Sequence, residues 1–309
     1  MKSFCICISG MVRGNFKAAS SINKMINELT SRGHKVDVFI DVWSIQEVYS
    51  PGVQSKLTRR LPVKAFSLLS EKDKDIGNFK LKYPNLYEVL SSPIYQKLNE
   101  VAKEEVVNTV RINIEDQEEF KQSNSLFDRK NLLFKGNYNQ VYMYYKIYNC
   151  MKLAKNYSLE NNIEYDYAIR MRPDTLIKKF DYTGFIDSLR ETSIKTMNIS
   201  QDKFCGDILF YGDYDKMVDV SHIGIDILSK GTTAIFGDNK NYFSERLLTK
   251  YISHLGLSFH KQDSLKGTFP SELSEYGMNI NLPYESLYSA MKLDNINIDE
   301  PWAVELLPN

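Results

Sequence analysis

Residues 163–176 read Ile-Glu-Tyr-Asp-Tyr-Ala-Ile-Arg-Met-Arg-Pro-Asp-Thr-Leu, and this stretch restricts the fold more than any other. It begins as a short apolar strand, Tyr165 to Met171, and ends in charge: Arg170, Arg172 and Asp174. Pro173 has no N–H to give a sheet ladder, so it ends the strand and fixes the chain direction before Asp174. Side chains alternate along a strand, which puts Arg170 and Arg172 on one face. A buried strand with arginines and a carboxylate at its carboxyl end is where an open α/β sheet places its ligand. Two guanidiniums beside a carboxylate suit a phosphate-bearing ligand, with or without a metal ion. The plainer alternative is an internal ion-pair set at a strand end.

The segment leading into this strand carries a helix signal from Tyr138 to about Asn161, with Val141, Tyr144, Tyr148 and Met151 at steps of three and four. The amino-terminal part reads strand–loop–helix–strand. A buried strand over 2–9 precedes the loop Gly10-Met11-Val12-Arg13-Gly14. A helix follows from about Phe16 to Arg32, with Ile22, Met25, Ile26 and Leu29 on one face and Gly33 as C-cap. A second strand runs over 35–41 and ends in Asp41. That order predicts a parallel sheet with a right-handed crossover, hence an α/β protein.

Further on, 207–211 reads as a strand, 214–228 and 244–255 as helices, and 257–260 as a last short strand. Residues 50–135 are charged and irregular, with Pro51, Pro62, Pro84 and Pro93, and are expected to be a largely helical insertion. Residues 261–309 are expected to be irregular.

Several of these positions can carry chemistry, and each has an ordinary alternative. Ser9, Gly10 and Arg13 sit where a glycine loop lets a ligand approach the backbone. The loop lacks the G-x-G-x-x-G and phosphate-loop patterns, so a plain turn also explains it. Asp41 can take a ribose hydroxyl or a base edge, or it can cap a helix. Asp207, at the start of a central strand, can face the cleft or cap a turn. Glu245 at a helix start can be a general base or complement the helix dipole. His34, His222, His254 and His260 show no metal-ligand spacing, and no Ser-His-Asp or Cys-His signature is present.

The bulk numbers narrow the classes. Lysine plus arginine and aspartate plus glutamate both number 39 in 309 residues, so no global basic field favours nucleic acid. The 20 tyrosines and 16 phenylalanines can stack on sugars or bases, or fill a core. Four cysteines without a C-x-x-C pair predict free thiols in a reducing compartment. No stretch approaches the ~20 apolar residues of a membrane span. A cytoplasmic protein, with peripheral contact to the inner face of a membrane left open, is the expectation.

At these motifs the chain resembles bacterial glycosyltransferases of the GT-A fold that build surface polysaccharides. The resemblance rests on the Ser-Gly-x-x-Arg loop, Asp-Val-Phe-Ile-Asp-x-Trp on the second strand, and a Gln-x-Tyr-x-x-Tyr-Lys helix leading into Tyr-Asp-Tyr-Ala-Ile-Arg-Met-Arg-Pro-Asp. It covers 1–45 and 138–260. It implies one GT-A-like domain over 1–309: a Rossmann-type, mostly parallel central sheet flanked by helices, with the helical insertion at about 50–135.

By this resemblance Ser9, Gly10, Arg13 and Asp41 fall at the nucleoside, and Lys146 reaches a phosphate. GT-A enzymes carry Asp-any-Asp at the strand end; here Arg172-Pro173-Asp174 replaces the first acid. Asp174 then holds Mn²⁺ or Mg²⁺ alone with water and diphosphate oxygens, or the arginines neutralise the diphosphate without metal. Glu245 falls where inverting members carry the base, and Asp207 near the acceptor or donor sugar. The implied activity is hexosyl transfer from a nucleotide sugar, a UDP-sugar foremost, to a glycan or lipid-linked glycan of capsule, O-antigen or lipooligosaccharide (the lipopolysaccharide class). The competing readings are a non-catalytic nucleotide- or glycan-binding module and a nucleotidyltransferase.

Overall fold

The structure is a computed structural model and describes residues 1–13, 18–49, 57–92, 94–98, 105–123, 138–197, 199–200, 204–237, 243–268 and 284–307. In chain order the elements are β1 (Ser3–Arg13), α1 (Ala19–Ser31), β2 (Lys35–Tyr49), α2 (Val63–Leu68), α3 (Ile76–Lys82), α4 (Pro84–Val89), β3 (Ile94–Lys97), β4 (Thr109–Glu115), α5 (Gln117–Ser123) and α6 (Tyr138–Asn161). They continue with β5 (Tyr167–Met171), β6 (Leu176–Phe180), α7 (Tyr182–Ser188), β7 (Ile194–Thr196), β8 (Ile199–Ser200), β9 (Phe204–Cys205) and β10 (Leu209–Asp213). The last are α8 (Tyr214–Ser221), α9 (Ile223–Phe236), α10 (Ser244–His254), β11 (Phe259–Lys261), β12 (Leu265–Thr268), α11 (Tyr284–Leu293) and α12 (Pro301–Val304). Two compact units form, one from 1–45 and 97–268, the other from 46–96 and 269–309.

The first unit is built on a mostly parallel sheet flanked by helices, as the strand–helix–strand pattern requires. Its order is β11-β7-β10-β5-β1-β2, with β4 also paired to β2. β1 runs parallel to β5 from Phe4↔Tyr167 to Ile8↔Met171, and β2 runs parallel to β4. β10 is antiparallel to both β5 and β7.

Phe4 to Ile8 are all fully buried, because β1 is covered on both faces. Cys7 Sγ lies 3.2 Å from Met151 Sδ of α6, while the Phe4 ring packs on Phe185 of α7 at 6.0 Å. Burial pushes the Cys5, Cys7 and Cys150 thiols up, so they pack here as neutral groups.

Helix α6 forms over the expected span and buries Val141, Tyr144, Ile147, Cys150, Met151 and Ala154. Gly224 lets the start of α9 rest on the backbone of α6, where an added Cβ would overlap the Tyr144 carbonyl. Gly224→Ala is therefore expected to destabilise the unit by about 1–3 kcal/mol, the cost of overpacking. A lower urea midpoint at unchanged slope would register it; an unchanged midpoint would mean the two helices separate freely.

Several boundaries differ from the sequence expectation. β1 continues through Gly10, at φ 121°, to Arg13, with Val12 buried between the part-buried Met11 and Arg13. β2 runs on past Asp41, held by pairing with β4 up to Trp43↔Glu115. The expected helix over 214–228 is two helices that meet at His222. Within 50–135, β3 and β4 are strands beside the short helices. Gly14 and Phe16 lie outside the described residues.

The second unit gathers short helices from both of its segments. Leu61, Ala65, Phe79, Tyr83 and Leu86 pack with Leu287, Met291, Trp302 and Leu306 in one core. Asp294 caps α4 from the far segment: its carboxylate accepts the backbone N–H groups of Asn85 and Leu86 at 3.1 and 2.8 Å. Residues 284–293 and 301–304 are thus helical where irregular chain was expected, because Leu287, Ala290 and Met291 share one buried face. Among the described residues no helix is long and apolar enough to cross a membrane.

Candidate active site

The parallel pairing of β1 and β5 sets Ser9 beside Arg170 and Arg172 at one edge of the sheet. Because β10 runs the other way, its first residue, Leu209, pairs with Met171 at the carboxyl end of β5. Asp207 therefore arrives at the same edge, and Arg172 N–H donates to the Ile208 carbonyl at 3.0 Å. Backbone direction alone brings three separate stretches of sequence together here.

The arginines play different parts. Arg170 is fully buried: its guanidinium donates to Ser9 Oγ and the Ser9 carbonyl at 3.3 Å each, and to the Asp207 carbonyl. Burial pushes its pKa down to about 10, so it stays a cation at neutral pH. Arg172 grips Asp174 with two bonds, Nε to Oδ1 at 2.8 Å and Nη2 to Oδ2 at 2.6 Å. Arg13 reaches Asp174 Oδ2 at 3.3 Å. Burial raises the Asp174 carboxyl, but Arg172 and Arg13 outweigh it and hold the group below the usual range. Arg172 and Arg13 remain 17% and 37% exposed, so the clamp opens to solvent on the arginine side.

Glu245 completes the cluster from α10. Burial first, then the nearby Asp207 charge, raises its pKa, while its own backbone N–H, the Ser244 hydroxyl and Arg172 pull the other way. Ser244 Oγ donates to Glu245 Oε2 at 3.0 Å, and Tyr144 OH donates to the Ser244 carbonyl at 2.6 Å. A half-buried carboxyl raised toward neutrality is suited to proton transfer.

Asp41 and Lys146 belong to a second cluster. Lys146 Nζ donates to Asp41 Oδ1 at 2.7 Å and to Glu115 Oε2 at 2.9 Å, and lies 4.1 Å from the centre of the Trp43 ring. Asn113 Nδ2 donates to Asp41 Oδ1 at 2.9 Å. Lys146 and Asp41 are both 0% exposed, so the charge expected to reach a phosphate is enclosed within the fold.

Sequence reasoning thus singled out Ser9, Arg13, Arg170, Arg172, Asp174, Asp207 and Glu245, which share one sheet edge or face it. It noted Ser244 only as the helix start beside Glu245, and it missed Tyr144, Asn113 and Glu115. Tyr144 reads in sequence as one more apolar face residue of α6, and nothing local marks its hydroxyl. Asn113 and Glu115 fall in the segment whose strands were not foreseen.

A divalent cation at Asp174 would compete with Arg172 and Arg13 for the carboxylate. Both Asp174 oxygens are paired with guanidiniums, and a cation would have to displace groups of its own charge sign. Among the described residues no group of three His, Cys, Asp or Glu side chains is arranged as a ligand set.

No protein-family model matches this chain, and no curated protein matches it in sequence. Solved structures give loose likenesses. HddC from Yersinia pseudotuberculosis in complex with GMP-PN is 10% identical, over 95% of this chain and 99% of that one, with a TM-score of 0.31. A glucose-1-phosphate thymidylyltransferase from Bacillus anthracis in complex with sucrose is 10% identical, over 98% of each chain, with a TM-score of 0.32. Neither likeness carries weight for the chemistry.

Proposed function

We propose that this chain is a glycosyltransferase that moves a hexosyl group from a nucleoside diphosphate donor to a glycan hydroxyl, with arginines in place of a metal at the diphosphate. The observation that carries this reading is the Arg13–Asp174–Arg172 clamp at the carboxyl edge of β5, with the raised Glu245 carboxyl facing it. Asp174 holds two guanidiniums together, and planar forks of this kind match phosphate oxygens. Arg170 adds a fixed positive charge from beneath and braces Ser9 and the Asp207 loop.

In the reaction, the acceptor oxygen bonds to the anomeric carbon as the bond to the diphosphate oxygen breaks. The acceptor proton passes to Glu245, and the electron pair leaves with the diphosphate. Arg172 and Arg13 stabilise the charge that builds there, an effect that preorganised donors supply without reorganisation. A base on the acceptor side corresponds to inversion at the anomeric carbon. A UDP-sugar as donor, a bacterial surface glycan or its lipid-linked form as acceptor, and action in the cytoplasm at the inner face of the membrane complete the proposal.

The test is a thermal-shift and turnover panel. UDP, GDP or CMP at ~100 times its dissociation constant should add ~2.7 kcal/mol of stability, with or without chelator. Arg172→Ala should abolish most of that shift, and Arg172→Lys should restore only part, since lysine keeps charge but loses the fork. No shift with any nucleotide at millimolar concentration rejects the reading, and equal shifts in wild type and Arg172→Ala make the clamp a structural ion pair. Binding without transfer or donor hydrolysis would mark a binding module. Release of pyrophosphate from a nucleoside triphosphate and a sugar phosphate would mark a nucleotidyltransferase.

A further inference from the structure

We infer that Ser244 and Tyr144 are positioning residues for Glu245, fixing the rotamer and basicity of its carboxylate from two different helices. The inference rests on the reading of Glu245 as the proton acceptor, and its geometry stands independently of the donor. Glu245 lies in the first turn of α10, and Phe243, which precedes that helix, gives no side-chain cap. The start of α10 is instead held by the buried Tyr144 hydroxyl, which donates to the Ser244 carbonyl at 2.6 Å. Tyr144 is itself fixed, since its backbone lies under the Gly224 turn of α9.

Ser244 is the first residue of α10. Its hydroxyl turns to the neighbouring carboxylate, donating to Glu245 Oε2 at 3.0 Å. The same turn is tied on its other side, where Thr249 Oγ1 donates to the Glu245 carbonyl at 2.8 Å and accepts Cys205 N–H at 2.7 Å. That bond links α10 to the strand just before Asp207. The charged and titratable groups that face Glu245 are Asp207 before β10, Arg172 after β5 and Tyr144 of α6, with Arg246 next along α10. Burial and then Asp207 raise the Glu245 pKa, and its own backbone N–H, the Ser244 hydroxyl and Arg172 lower it. Removing the hydroxyl therefore raises it further.

The experiment follows Glu245 by carbon-detected NMR titration of the full chain, with Glu245→Gln to assign the signal, and measures transfer in parallel. Ser244→Ala should move the Glu245 titration and the acid limb of kcat to higher pH, and Ser244→Thr should restore both. Tyr144→Phe, with the ring and packing kept, should lower kcat by up to roughly 10²-fold, the scale of an ångström-level misplacement, with the donor KM changed less than about twofold. An unmoved titration in Ser244→Ala overturns the inference, whether or not transfer is found. Transfer that survives Glu245→Gln, with the titration moved as expected, would overturn the base assignment and leave the positioning intact.

Discussion

Glu245→Gln is expected to keep the fold and the nucleotide-induced thermal shift while lowering transfer by roughly 10²–10⁴-fold, the usual worth of general-base catalysis. The amide is nearly isosteric and can still accept from Ser244 Oγ, but it cannot take the acceptor proton. In the unmodified protein kcat should rise with pH through the Glu245 titration, because the base must be ionised. Since burial and Asp207 raise that pKa, the acid limb lies above the ordinary glutamate range. If the carboxylate merely complements the helix start, the substitution costs only about 0.3–1 kcal/mol of stability and turnover hardly changes. Turnover within a few-fold of wild type would remove Glu245 from the mechanism and make Asp207 the next residue to replace.

Lys146→Met is expected to destabilise the first unit by about 3–5 kcal/mol, the cost of leaving a buried charge without its partner. Asp41 is fully enclosed, and Lys146 is its counter-ion. Burial already raises the Asp41 pKa with lysine present. Without lysine it rises further. A raised folded pKa favours the folded state below the unfolded pKa and loses that advantage as pH rises through the folded value, so the penalty grows with rising pH and shrinks in acid. Replacing the pair together, Lys146→Met with Asp41→Asn, should recover much of the loss. Urea unfolding of the four members of the cycle measures this. A single-variant cost under about 1 kcal/mol would mean that water reaches the triplet.

The parts of the fold visible in sequence are those whose contacts are local or repeat regularly. The apolar runs at Phe4–Ile8 and Tyr167–Met171 announce strands covered on both faces, and α6 has enough turns for its buried face to stand out. The helices of the second unit run four to ten residues, too short for periodicity to show, and their buried faces find partners only across the two distant segments. In the site, Arg172 and Asp174 are two residues apart, so their pairing is legible on a line of text. Arg170 is different: strand periodicity puts it on the ligand-facing side, yet the neighbouring strand and loop draw its guanidinium onto backbone carbonyls. The Tyr144–Ser244 bond spans 100 residues and depends on where two helices come to rest.

The way Asp294 caps α4 bears on how the protein is made. The carboxylate and the N–H groups it serves are separated by 209 and 208 residues. At a synthesis rate of roughly 5–20 residues per second, the α4 segment leaves the ribosome about 10–40 s before its cap. During that interval the apolar faces of Phe79, Tyr83 and Leu86 have no Trp302 or Met291 to cover them. The first unit is completed within the same interval, since its last described strand ends at Thr268, ahead of Asp294 in the chain. The nascent chain therefore passes through a state with one finished unit and one exposed, half-assembled helical segment, which makes that segment the natural target for chaperones and proteases.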